Sequence, residues 1–139
     1  MSARHAIGAA AALMALLASS ARAEFRPVDI YVDAGEVALA AYQVEVRAAG
    51  ATIVGVEGGE HAAFAEPAYY DPAALSGGRI ILAAFSTGHD LPGGRTRVAT
   101  LHMHESSEAR YEVKLMAAGD AGGRRTRATV SVVSRETQR

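Results

Sequence analysis

From Glu24 onward, apolar residues recur every second position, and Gly, Pro, Asp and Ser clusters interrupt that alternation every ten residues or so. A period of two places successive side chains on opposite faces of a strand, so one face packs inward while the other meets solvent. Regular short strands with turn signals between them predict an antiparallel sandwich or barrel. Val28, Ile30 and Val32 alternate with Asp29, Tyr31 and Asp33 in the first such stretch, and Ala34-Gly35-Glu36 turns the chain.

Val37–Arg47 follows as a longer strand whose apolar parity switches between Ala41 and Tyr42, which predicts a bulge or a doubly buried strand. Ala48-Ala49-Gly50 reads as a turn, then Ala51–Glu57 as a strand ended by Gly58-Gly59. Between Glu60 and Gly78 the alternation lapses, with one short strand expected around Phe64. There Asp71-Pro72 before two alanines suits a single helical turn, with Asp71 as cap and Pro72 in the first helical position. Arg79–Phe85 is apolar on both parities and is expected to be a central strand. Arg95–His104, Arg110–Met116 and Thr126–Val133 complete the set, with Glu105–Glu108 and Gly119–Gly123 as turns. The expected fold is all-β: an antiparallel jelly-roll-type sandwich of about seven to nine strands over residues 24–134, with a flexible polar tail at 135–139.

The first 23 residues differ in kind. Arg4 and His5 precede an uncharged apolar run, Ala6–Ala18, and Ala21-Arg22-Ala23 supplies small residues at the end. Charged start, apolar middle and A-x-A close are the marks of a cleavable signal peptide, expected as a helix over residues 1–23. The run falls short of the ~20 apolar residues that span a bilayer, so no membrane insertion is expected after cleavage. The mature protein is therefore expected in a periplasm or outside the cell.

Composition then narrows the function. The chain holds 14 basic and 15 acidic residues; removing Arg4 and Arg22 leaves 12 against 15, a mature net charge of −3. That balance lacks the basic face of a nucleic-acid binder, and the local run Arg124, Arg125, Arg127 reads as a solvated strand end. Cysteine is absent, so stability must come from strand packing rather than disulfides. Tryptophan is absent too, which leaves tyrosine and phenylalanine as the aromatic surfaces available for recognition.

The ordered segments Val28–Asp33, Leu39–Arg47, Ile53–Gly59, Gly78–Gly88, Gly94–His104 and Tyr111–Gly123 resemble those of cohesin domains and the related carbohydrate-binding modules. The resemblance spans nearly the whole mature chain. It implies a jelly-roll sandwich and a non-catalytic role in binding a protein partner or a polysaccharide. Tyr70-Asp71-Pro72 stands in a later loop than the Tyr-Asp-Pro of many cohesins, so no partner contact is carried over to particular residues.

Four candidate chemistries come from the residues themselves. Tyr69 and Tyr70, with Asp71 beside them, offer flat apolar faces with polar tips in a Pro-bounded loop, suited to a sugar ring or a protein surface. One of the two, with Phe64, is equally suited to plugging the sandwich end. His102 and His104, two apart on a strand, share a face and could hold Zn²⁺ or Cu²⁺, with His61, His89 or Glu105 as a third ligand; a periplasmic metal-binding protein is the alternative function. Asp33 and Glu36 near the first turn lack the oxygen-rich loop that Ca²⁺ requires. Ser86, His89 and Asp90 share a loop but lack the G-x-S-x-G elbow of a hydrolase. No enzyme activity and no cofactor are expected.

Overall fold

A computed structural model describes residues 24–136. The signal-peptide assignment therefore lies outside the described residues. The mature region is all-β, as the alternation predicts. Five strands, β1 (Glu24–Asp33), β2 (Ala41–Gly58), β3 (Arg79–Phe85), β4 (Arg95–Gly119) and β5 (Thr129–Ser134), form one antiparallel sheet in the order β3-β2-β4-β1-β5.

Five strands replace the expected seven to nine because two expected turns are bends inside strands. Ala48-Ala49-Gly50 does not reverse the chain. The β2–β4 register jumps there, from Ala49 opposite Arg110 to Ala51 opposite Glu105, and Gly50 takes φ 74°. Glu105–Glu108 is the facing irregularity on β4, so both long strands bend at one place. A bulge leaves residues unpaired and increases local twist, which is how one strand serves two differently oriented parts of a sheet. The parity switch at Ala41–Tyr42 marks the start of β2; the bulges themselves lie at Gln43/Val44, Ala49/Ala51 and Ile53/Gly55.

The bend divides the sheet into two halves. In the first, Ala41–Arg47 of β2 runs between β3 and Glu112–Gly119 of β4. In the second, Arg95–Glu105 of β4 runs between Ala51–Gly58 of β2 and β1, and β5 lies on the far side of β1. Tyr42, Val44, Val46, Ile80 and Leu82 from the first half and Val28, Ile30, Val32, Ile53, Leu101 and Met103 from the second are buried in one cluster. Full burial of such side chains contributes about 1.5–3 kcal/mol each before the ordering entropy is set against it. Tyr42 joins the halves directly: its ring meets Phe64 edge-on, centroids 5.3 Å apart, and its hydroxyl donates to the Val98 carbonyl at 3.3 Å. Burial pushes that hydroxyl far above the ordinary tyrosine range, so it stays a donor.

The region between β2 and β3 closes one end. Around Phe64 the chain makes a 3₁₀ turn, Ala62–Phe64, in place of the expected strand, because His61 Nδ1 accepts from the Ala63 amide at 3.0 Å and caps it. Phe64 is buried. Pro72–Ala74 is the expected single turn, with Asp71 Oδ1 accepting from the Ala73 amide at 2.9 Å. Gly58 and Gly59 do more than end a strand. A Cβ on Gly58 would sit 1.9 Å from the Ala65 carbonyl oxygen, and one on Gly59 2.4 Å from that of Arg97. Only glycine lets the loop backbone approach so closely.

β3 is an edge strand, not a central one. Its inward parity, Ile80 and Leu82, is buried, whereas Ile81, Ala83 and Phe85 point to the outer face. Tyr69 covers part of its free edge through a two-bond bridge with Ala83, at 2.8 and 3.0 Å.

Candidate functional site

That bridge fixes an exposed pair of aromatic rings. Antiparallel partners share a face, so Tyr69 emerges on the same side as Ala83, two residues from Phe85 along β3. Tyr69 is 72% exposed and Phe85 65% exposed, and their rings lie near-parallel, 18° apart, with centroids separated by 6.4 Å. Tyr70, one residue on, points the other way and packs against the core. The tyrosine pair is thus split by strand alternation: Tyr69 faces solvent, while Tyr70 is half-buried against the core cluster that includes Phe64. Asp71 is exposed, but one of its oxygens is engaged in capping the following turn.

One recess opens against the aromatic pair, and a second lies farther across the sheet. One, of about 500 Å³, is bounded by Ala62–Pro67 together with Tyr69, Ala84 and Phe85. The other, of about 310 Å³, has a floor of small residues, Ala41, Ala83, Ala117 and Gly119, with Gln43 among them. These are cross-strand neighbours on β3, β2 and β4: Ala83 opposes Gln43, Gln43 opposes Ala117, and Ala41 opposes both Phe85 and Gly119. Its far wall is the turn after β4, with Asp120, Arg124 and Arg125. The rings stand beside this floor without lining it, Tyr69 bridged to Ala83 and Phe85 opposite Ala41. A shelf of methyl groups flanked by a charged turn can accept a flat, partly apolar ligand and orient it by its polar groups.

Phe85 escaped the sequence pattern because a strand apolar on both parities was expected to be central. The signal was present in Ile81, Ala83 and Phe85, one parity of a strand with little to cover it.

The other candidate groups are dispersed. His102 and His104 flank the buried Met103 on the outer face of the second half, as their spacing predicts. His102 Nε2 lies 2.9 Å from Glu57 Oε1, and the His104 ring sits 4.8 Å from that of Phe25. The three possible third ligands are engaged or distant: Glu105 pairs with Arg26, His61 caps its turn and lies 3.6 Å from Asp90, and His89 is in an exposed loop. Among the described residues no three His, Cys, Asp or Glu side chains gather where they could hold one metal ion. Asp33 binds the Gly35 amide at 2.9 Å, an Asx turn, and Glu36 is exposed. Ser86 accepts from the Gly88 amide at 3.2 Å, and Asp90 faces His61 rather than His89.

The second half also carries a dense polar cluster on its outer face. Arg135 grips Asp29 with two bonds of 2.7 Å, and Thr100 donates to Asp29 at 2.7 Å. Arg97 reaches Thr100 Oγ1 at 2.9 Å and the Gly58 carbonyl at 3.0 Å. Burial raises the Asp29 carboxyl, but the Arg135 and Thr100 bonds more than offset it, holding it below the usual carboxylate range. Arg135, in the segment expected to be a loose tail, is thereby tied down, and its amide also donates to the Pro27 carbonyl at 3.0 Å. Nearby, burial and the Glu105 carboxylate push the Tyr111 hydroxyl up to about 12.

Comparison with protein-family models, curated proteins and solved structures gives no significant match.

Proposed function

We propose that the mature chain is an exported, non-catalytic binding module of cohesin-like type that recognises a polysaccharide or a protein partner through the Tyr69–Phe85 face. The observation that carries this reading is the stacked aromatic pair, exposed on an outer sheet face where it lines one recess and stands beside the floor of a second. Large apolar rings left in solvent beside concave surfaces mark interaction sites. The jelly-roll-type sandwich belongs to the same proposal; its support is the single core enclosed by the two halves of one bent sheet. Export to a periplasm or the exterior is proposed from the first 23 residues alone.

The test is a glycan array and a pull-down from the producing cell's exterior fraction, run with the intact protein and with the Tyr69→Ala/Phe85→Ala variant. A ligand held by the first and released by the second supports the module. No ligand in either assay, or ligands indifferent to the variant, removes the reading.

A further inference from the structure

We infer that the recess between the Tyr69–Phe85 pair and the Asp120–Arg125 turn takes a carboxylate-bearing polysaccharide, a polymer with uronic acid units. This rests on the binding-module reading and names the chemistry of its ligand.

The charged wall carries the inference. Arg124 and Arg125 are exposed, line the recess, and form no ion pair with any carboxylate among the described residues. Of the other described arginines, Arg26, Arg47, Arg79 and Arg135 each meet a carboxylate, Arg95 stacks on Tyr31, and Arg97 bonds Thr100 and the Gly58 carbonyl. Arg110 and Arg127 share the exposed, unpaired state but lie outside the recess. The one acidic group on this wall, Asp120, is spent on the turn: its Oδ1 accepts from the Gly122 and Arg124 amides, both at 2.9 Å. Backbone bonds from Asp120 to the Arg124 carbonyl at 2.9 Å and from Gly123 to the Asp120 carbonyl at 3.1 Å close the same turn, with Gly123 at φ 76°. Two guanidiniums are thus presented from a fixed backbone, with a local balance of one positive charge on a protein otherwise net negative. A guanidinium fork matches a carboxylate in bidentate geometry and is weakly hydrated, so an anionic ligand group gains most here.

The rest of the recess selects a sugar over an acidic peptide. β2 runs down its floor paired on both sides, to β3 and to β4, so it offers no free backbone edge to an extended peptide. The outer edge of β3 is already bridged at Ala83 by Tyr69. The recess itself offers methyl groups, the Gln43 amide and the two guanidiniums, and the Tyr69 and Phe85 rings stand beside its floor at Ala83 and Ala41. A pyranose presents C–H groups to the negative face of an aromatic ring and hydroxyls to such polar tips. Three strand spacings separate Tyr69 from β4, about 14 Å at ~4.8 Å each, which gives a chain of rings room to lie between the aromatic pair and the arginine wall.

The experiment is calorimetric titration of the protein with polygalacturonate, alginate and hyaluronate, each beside its carboxyl-methylated form, and with neutral xylan. Binding to at least one acidic polymer is expected, weaker by roughly tenfold for its methyl ester, the equivalent of one lost charge-assisted contact. Arg124→Gln/Arg125→Gln should weaken the acidic form by a similar factor and leave the ester unchanged. Arg110→Gln, an exposed arginine outside the recess, should change neither. Added salt should weaken the acidic form selectively. Equal affinity for acid and ester, or for neutral xylan, with the arginine variant silent, overturns the inference and leaves a sugar-binding module standing. Capture of an acidic protein through the same arginines with no glycan bound also overturns it. No ligand of any kind, with Tyr69→Ala/Phe85→Ala silent, removes the binding-module reading along with it.

Discussion

The two outer faces of the bent sheet spend their polar and aromatic groups differently. On the second half, Asp29, Thr100, Arg97 and Arg135 satisfy one another, and Asp29 and Thr100 are only 5% and 0% exposed although they lie on an outer face. His102 meets Glu57, and Arg95 stacks 3.6 Å above the Tyr31 ring. On the first half, Tyr69 and Phe85 stand in solvent, and Arg124 and Arg125 meet no carboxylate among the described residues. A face whose groups answer one another contributes to folding; a face that leaves them unanswered is available to a ligand. The contrast predicts that substitutions on the second half change stability, and that those on the first change binding.

The largest effect is expected at Asp29. Asp29→Ala removes the acceptor of three hydrogen bonds, two from Arg135 and one from Thr100, and leaves the buried Thr100 hydroxyl without that acceptor. Half-exposure of Arg135 moderates the loss, since its charge can be rehydrated. About 2–3 kcal/mol of stability should disappear in a urea titration, at unchanged ligand affinity. A loss below about 0.5 kcal/mol would mean that the cluster is ornament, and the division between the faces would fail.

Acid provides a graded version of the same test. The folded Asp29 carboxyl lies below its unfolded value, so its contribution is fully present above the ordinary carboxylate range, near ~3.9. It is lost as pH falls from there through the lower folded value, because the unfolded chain then binds the proton first. Stability should therefore fall below about pH 4, and the fall should be shallower in Asp29→Asn. Glu45, held below its usual range by the Arg79 and Arg47 bonds, titrates in the same direction from the solvent-exposed surface of the first half. Acid denaturation followed by circular dichroism in the two proteins checks it; superimposable curves would place the acid-sensitive group elsewhere.

The legibility of each face follows from the range of its contacts. Alternation in Val28–Val32 and Ala99–Met103 was enough to predict strands and their buried parity, because period two is local. The Asp71-Pro72 turn was legible for the same reason: cap and proline act within three residues. Neither the edge position of β3 nor the bends at Gly50 and Glu105 could be read, since both depend on which strand lies alongside. The Asp29–Arg135 pair joins residues 106 apart in sequence, and nothing local marks either as a partner. The Pro67-bounded loop singles out Tyr69, whereas its stacking partner Phe85 sits in an apolar strand whose pattern predicts an interior position. Sequence distance, rather than residue chemistry, separates what was read from what was missed.

The smallest stability change is expected at the most conspicuous side chains. Tyr69→Ala and Phe85→Ala each remove a large ring, yet both rings are mostly in water, and the Tyr69–Ala83 bridge is made by backbone that alanine retains. Surface changes of this kind fall within about 0.5 kcal/mol. Their mutual stacking adds at most about 1 kcal/mol, which a double-mutant cycle on urea midpoints would isolate as a coupling energy. Affinity for the ligand should meanwhile fall in each single variant. If instead either substitution costs more than about 1.5 kcal/mol of stability, the aromatic pair is a lid over the end of the core. The recesses beside it would then be products of that closure, and the first half would resemble the second in keeping its groups for the fold.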